Sequence, residues 1–219
     1  ERVTAEAALL QARTQLGRAR RTAAPTLAAG VEAQLATLAM PRARFAVEVG
    51  DDPAGDAVTW TLAANPGEPL LPLAKVASGG ELARTMLALR LVLSGVVAGD
   101  EAGRTLVFDD VDAGIGGEAA VTVGRALASL ARDHQVLVVT HLPQVAAFAD
   151  QHLAVTKAEH GRRAVARAEP IDGPDRVVEL SRMLSGQPQS ATARRHAEEL
   201  LEIAARPSPG SAGSAGSLR

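Results

Sequence analysis

Two aspartates, Asp109 and Asp110, close the apolar run TLVFDD, and a histidine, His141, closes a second run, QVLVVTH. Carboxylates at the C-terminal end of an apolar strand stand where open α/β sheets bind their ligands. Burying two adjacent acids without partners would be costly, and neighbouring side chains on a strand point to opposite sides. One acid is then suited to orient Mg²⁺ through water and the other to polarise an attacking water, the division that phosphoryl transfer uses. A plainer reading makes Asp110 and Asp112 caps on the helix that follows. If the two runs are adjacent parallel strands, His141 shares their edge with Asp110; otherwise it merely opens the next helix.

A third feature lies upstream, in KVASGGELARTMLALRLVL, residues 75 to 93. Ser78 and Glu81 stand in the S-x-x-E relation of a capping box, in which each side chain satisfies a free N–H of the first turn. Gly79 and Gly80 fit that purpose poorly, because glycine costs roughly 1 kcal/mol against alanine inside a helix. Two glycines at a helix N-terminus do let a phosphate approach bare N–H groups at the positive end of the dipole. Capping and phosphate contact both remain open on these residues.

The elements that must position these groups follow from periodicity. Residues 1 to 24 read as a helix with an a/d-type seam of Ala5, Leu9, Ala12, Leu16, Ala19 and Ala23, and arginines 13, 18, 20 and 21 beside it. Pro25 is expected to interrupt it, and Leu27, Val31, Leu35 and Leu38 continue a second helical stripe as far as Pro41. RFAVEV and AVTWTLAA read as a strand pair joined through GDDPAG. NPGEPLLP is a loop leading to a helix that begins at Ser78. The strand TLVFDD is followed by a glycine-rich turn, a helix over 117–132, the strand QVLVVTH and a short helix over 143–150. A strand HLAVTKA, a turn near Gly161 and helices near 174–185 and 190–205 complete the pattern. Apolar strands alternating with helices predict an α/β fold with a parallel-leaning core. The division expected is a helical segment over 1–40, an α/β lobe over 41–205 and a disordered Pro/Gly/Ser tail over 206–219.

Composition narrows the function classes. The chain has 219 residues, 47 % of them hydrophobic, enough for a sizeable core. No apolar run reaches the roughly 20 residues of a membrane-spanning helix, and no secretory signal is evident. The absence of cysteine excludes disulfides and thiolate metal sites and fits a cytoplasmic location. A net charge of −2 gives no global nucleic-acid signature. Only two of the 23 basic residues are lysines, Lys75 and Lys157, and neither lies in a Gly-Lys-Ser/Thr context, so the chain has no Walker A loop. It opens on Glu1, as expected of a piece of a longer protein.

SGGE resembles the signature motif of ABC-type ATPases, TLVFDD their Walker B strand with its catalytic acid, and VTH their switch histidine. More closely, ASGGELAR, FDDVDAGIGG, THLPQVAAFAD and ELSRMLSG followed by HAEELL resemble, over about residues 27 to 203, the C-terminal head lobe of the RecN family of bacterial DNA repair proteins, relatives of the SMC proteins. LAMPRARFAVEV resembles the point where that family's coiled coil returns to the head.

The resemblance implies an ATPase that uses ATP and Mg²⁺ at composite sites sandwiched between two heads. Ser78, Gly79 and Gly80, with Glu81 beside them, would contact the γ-phosphate of ATP held on the opposing head. Asp109 would orient the Mg²⁺ shell, Asp110 would be the general base and His141 would sense the γ-phosphate. Residues 112 to 117, including Asp112 and Gly114, would form the loop that crosses the dimer interface. The implied partners are the N-terminal Walker A lobe of the same protein, a second copy through the heads, and DNA, in a nucleoid-associated cytoplasmic role. Two features depart from the pattern: the catalytic acid is an aspartate where glutamate is usual, and the Walker A lobe is missing, so this chain alone would bind ATP weakly or not at all.

Three other readings are open on the residues. A dinucleotide-binding oxidoreductase would use Gly114, Gly116 and Ala119, but Asp109 to Ala113 intervene where the first glycine should follow the strand directly. A self-contained metal-dependent hydrolase would use Asp109, Asp110, Asp112 and His141. A non-hydrolytic structural head module would keep the fold without turnover.

Overall fold

The computed structural model describes residues 1–76, 78–94, 103–160 and 163–206. The expected tail from 207 onward and the turn at Gly161 lie outside the described residues. The chain divides into two compact units, Glu1–Arg104 and Thr105–Arg219.

The first unit is a long helix on a small antiparallel sheet. Helix α1 runs unbroken over Arg2–Thr37 with Pro25 inside it. A proline there removes a backbone hydrogen bond and normally costs about 3 kcal/mol. The expected break is absent because the helix is anchored on both sides of Pro25. Gly17 and Ala24 are buried before or beside it, and Val31, Leu35 and Leu38 after it. Gly17, Ala24, Val31 and Leu38 recur at heptad spacing, and this row, rather than the expected seam, faces the protein. Ala5, Leu9, Ala12, Leu16, Ala19 and Ala23 are all exposed.

Strands β1 (Arg44–Val49) and β2 (Val58–Ala63) pair antiparallel, as their alternation predicts, and β2 also pairs with a two-residue β3 (Leu71–Pro72) inside the segment expected as loop. Phe45 is buried and meets Trp60 edge-on at 6.2 Å between ring centroids. The Phe45 N–H donates to Glu32 Oε1 at 2.8 Å, tying β1 to α1. Helix α2 spans Gly79–Ser94 and buries Leu87, Ala88 and Leu89.

Three arginines of α1 are engaged within the unit. Arg20 Nη1 donates to the carbonyls of Ala54 and Gly55 and to Asp56 Oδ1. Arg13 Nη2 reaches Asp56 Oδ2 at 3.0 Å, and Arg21 Nη1 donates to the Gly50 carbonyl at 2.7 Å. Arg13, Arg20 and Arg21 thus clasp the β1–β2 connection. Gly17 is the fulcrum of the clasp, since a Cβ there would stand 2.2 Å from the Pro53 carbonyl oxygen. Gly17→Ala is expected to destabilise the protein by roughly 1–2 kcal/mol, overpacking outweighing the better helix propensity of alanine. A thermal melt checks this; a stabilised variant would mean that the loop does not bear on the helix.

The second unit holds the only parallel pairing among the described residues. Strands β4 (Thr105–Asp109) and β5 (Gln135–Val139) are adjacent and parallel, joined by helix α3 (Gly117–Leu130). Ala120, Val123, Gly124, Leu127 and Leu130 form the buried stripe of α3. The parallel character expected of the whole core is confined to this pair; the other sheets are antiparallel. Nor are these strands buried on both faces. Val107, Leu137 and Val139 lie 66 %, 48 % and 61 % exposed, whereas Phe108 is buried.

A one-turn helix α4 (Pro143–Ala146) leads to a long antiparallel ribbon of β6 (His152–His160) and β7 (Arg163–Ile171). The sequence predicts the first of these strands and not the second. Helices α5 (Gly173–Ser185) and α6 (Ala191–Ala205) pack with α4 around Leu180, Ala146, Ala147, Ala197 and Leu200. Gly186 ends α5 in the left-handed conformation, and Ser190 caps α6 by accepting from the Ala193 N–H.

Candidate functional site

In the first unit, Ser78 sits at the N-cap of α2: its carbonyl accepts from the Leu82 N–H at 3.1 Å and its Oγ from the Glu81 N–H at 3.4 Å. That is the serine half of a capping box. Capping does not explain Gly79, which is exposed with no atom within 4 Å of where a Cβ would stand. Neither φ nor packing demands glycine at that position. A helix N-terminus left bare in this way can admit an anion to its N–H groups.

In the second unit, β4 and β5 run in register with Asp109 opposite Val139, so Asp109, Asp110 and His141 come to the same edge of the parallel pair. Asp109 and Asp110 are both exposed. They part company through the backbone rather than the pleat alone, because Asp110 leaves the strand with φ +57°. Aspartate is among the few non-glycine residues that tolerate this region. The Asp110 carbonyl then accepts from the Ala113 N–H, closing a turn, and Gly114 continues it at φ +76°. The conformation of that turn suffices to explain glycine at 114.

The carboxylate that is buried is Asp112, 1 % exposed. Its Oδ2 accepts a short hydrogen bond from Thr140 Oγ1 and a second from the His141 N–H at 3.2 Å. It also lies 3.4 Å from His141 Nδ1. Thr140 Oγ1 accepts in turn from the Leu142 N–H at 3.0 Å. Neither Asp110 nor Asp112 caps α3, whose N-cap is Gly116 without a side-chain hydrogen bond. The capping reading of these acids therefore fails. Within the loop expected to cross the dimer interface, the Asp112 carboxylate is turned inward to the β5 edge.

Beyond His141 the chain is pinned by Arg176, whose Nη2 donates to the carbonyls of Ala146, Ala147 and Ala149 at the end of α4. Burial, and then the nearby Arg176 guanidinium, push the His152 imidazole down from its ordinary value. Thr140 and Arg176 were not expected as site-supporting residues. The threonine of VTH was visible only as part of the motif, and nothing near Arg176 in sequence marks it.

Among the described residues no group of three or more His, Asp or Glu side chains is arranged to hold a metal. A metal site built wholly from Asp109, Asp110, Asp112 and His141 therefore lacks the geometry it needs. Mg²⁺ bound with a nucleotide needs less, typically one or two carboxylates besides phosphate oxygens and water. An exposed Asp109 at the strand end fits that lighter demand.

No family model matches the chain. It is 52 % identical over 203 residues to the DNA repair protein RecN of Streptomyces coelicolor, covering 85 % of this chain and 35 % of that protein. To RecN of Mycobacterium tuberculosis strain H37Rv it is 47 % identical over 228 residues, covering 93 % of this chain and 38 % of that protein. The fold is similar to the Smc head domain with a coiled coil and joint from Pyrococcus yayanosii, with a TM-score of 0.50 at 19 % identity, covering 79 % of this chain and 28 % of that one. No described helix is long and apolar enough to cross a membrane. The chain is thus a homologue of the RecN DNA repair proteins with an SMC-head-like α/β fold, spanning little more than a third of its relatives' length.

Proposed function

We propose that this chain is the C-terminal lobe of an ATPase head that acts in DNA double-strand-break repair, with ATP joining two heads and hydrolysis releasing them. ATP would bind only the engaged state and so shift the population toward it. Asp109 orients the water shell of Mg²⁺, Asp110 accepts the proton of the attacking water, and His141 meets the γ-phosphate. Ser78 and the exposed Gly79, with the buried Gly80 behind them, present the start of α2 to the γ-phosphate of ATP on the opposing head. When bound, Mg²⁺ supplies charge neutralisation between the phosphates.

The observation that carries this reading is the parallel register of β4 and β5, with two exposed acids at the end of one strand and a carboxylate-held histidine at the end of the other. The exposed apolar face of that pair supports a missing partner lobe. Val107, Leu137 and Val139 share one side of two strands, too few to be stable uncovered. Asp109 lies on the same side, so a covering Walker A lobe would bring phosphates to it. Homodimerisation through the heads, DNA contact and nucleoid association belong to the same proposal.

The test is ATP hydrolysis on mixing this chain with a separately made N-terminal lobe carrying the P-loop. Activity should need both lobes and fall to background with Ser78→Arg, which places a bulky side chain at the start of α2. Full activity in Ser78→Arg would reduce those residues to a helix cap, and activity without the second lobe would exclude a composite site.

A further inference from the structure

We propose that Asp112 is the positioning residue of His141: its buried carboxylate grips the histidine at Nδ1 and at the backbone N–H, turning Nε2 outward to face the γ-phosphate. This rests on the assignment of His141 as the γ-phosphate contact and gives that contact its mechanism.

Three observations converge on one oxygen. Asp112 Oδ2 accepts from Thr140 Oγ1 and from the His141 N–H, and it stands 3.4 Å from His141 Nδ1. The acid is 1 % exposed while the histidine side chain is 71 % exposed. The grip is therefore made from inside the protein, and the rest of the ring is left to solvent. The two nitrogens lie on different sides of the imidazole, and the bond made by one decides what the other presents. With Nδ1 facing a carboxylate, Nδ1 carries the proton and Nε2 is the atom left for a ligand. Among the described residues none hydrogen-bonds Nε2.

The same contact ties two loops together. Asp112 lies three residues beyond the end of β4, and Thr140 and His141 directly follow β5. The β4 segment carries Asp109 and Asp110 into this turn, so the grip also fixes the histidine relative to both acids. Thr140 holds the carboxylate from one side and the Leu142 N–H from the other, which keeps the loop from swinging while the ring is engaged. A buried acid with these three partners and no cap to make has no simpler use in the fold.

Two measurements on the full-length protein carrying both lobes test the proposal. In the first, ¹⁵N-histidine labelling with long-range ¹H–¹⁵N correlation reads the protonation of each ring nitrogen of His141, assigned by its disappearance in His141→Ala. Protonated Nδ1 is expected in the wild type; Nδ1 seen as an unprotonated acceptor overturns the proposal, and this readout needs no Asp112 variant to fold. In the second, Asp112→Asn keeps an acceptor for Thr140 but loses the charge. It should lower kcat about 10–100-fold, the range seen when a carboxylate that orients a metal-ligating histidine is lost, with KM for ATP little changed. In a His141→Ala background the same substitution should add no further loss. Losses that multiply instead overturn the positioning role, whereas unchanged turnover in His141→Ala alone overturns the γ-phosphate assignment on which it rests.

Discussion

Asp110→Asn is expected to lower ATP turnover in the protein carrying both lobes by roughly 10²–10⁴-fold, the usual contribution of a general base, and to leave ATP binding intact. The amide has the shape of the acid and tolerates the left-handed backbone at φ +57°, so the substitution tests proton acceptance without disturbing the turn. Single-turnover hydrolysis alongside nucleotide binding separates the two effects. Undiminished hydrolysis in Asp110→Asn would remove Asp110 from the chemistry. The companion change, Asp110→Glu, should move two quantities in opposite directions. One more methylene carries the carboxylate more than an ångström further out and corrects a retraction that can cost on the order of 100-fold, so turnover should rise. Glutamate gains less from the left-handed region than aspartate, so stability should fall by about 1 kcal/mol. That strain is present in the ground state and the transition state alike, and it leaves the barrier unaffected while the turn holds.

The aspartate at 110 thus has a local reason that no spacing argument reveals. Sequence pattern places Asp110 at the end of an apolar strand, and the register of β4 on β5 agrees. That the chain turns left-handed there depends on where the next helix must start, which is tertiary information. Asp112 makes the same point more strongly. In sequence it is one acid of three, read either as a helix cap or as part of an interface loop. Its burial, and its grip on Thr140 and His141, arise only when two strand ends distant in the chain are laid side by side.

Elements with a one-sided apolar pattern were legible: β1, β2, β4, β5, α3 and the closing helices fall close to their expected positions. Strand β7 was not. Residues 165 to 170 are all exposed, so there was no alternation of burial to leave a mark. Its pairing with β6 comes from backbone hydrogen bonding along the ribbon, which sequence periodicity does not encode. Helix α1 misled in the opposite direction. Its most regular apolar seam, from Ala5 to Ala23, faces solvent, while the row that packs includes a glycine. Gly17 packs because it lacks a side chain, allowing the Pro53 carbonyl to approach, and hydrophobic pattern reading discounts glycine.

The largest stability effect is expected at Leu180. Its side chain is 0 % exposed and centres the cluster in which Ala146, Ala147, Ala197 and Leu200 join α4, α5 and α6. Leu180→Ala should cost about 2–5 kcal/mol, toward the upper part of that range if the small residues around it cannot close the gap. Three of the four other buried members are alanines, with little side chain to swing into a void, so closure of the gap falls to the partly buried Val177, Met183, Leu184 and Leu201 at its rim. Each kcal/mol corresponds to a few degrees in Tm, and a fall on the order of 10 °C is expected by calorimetry. The site should respond as well. Ala146 and Ala147 belong both to this cluster and to the segment whose carbonyls Arg176 holds, and α4 begins two residues after His141. Loosening the cluster therefore loosens the far end of the loop that Asp112 grips at its near end. Below the transition, Leu180→Ala should retain ATP binding and lose part of its turnover. Calorimetry showing a shift of only a degree or two would mean that α4, α5 and α6 repack around the smaller side chain, and turnover should then be unaffected.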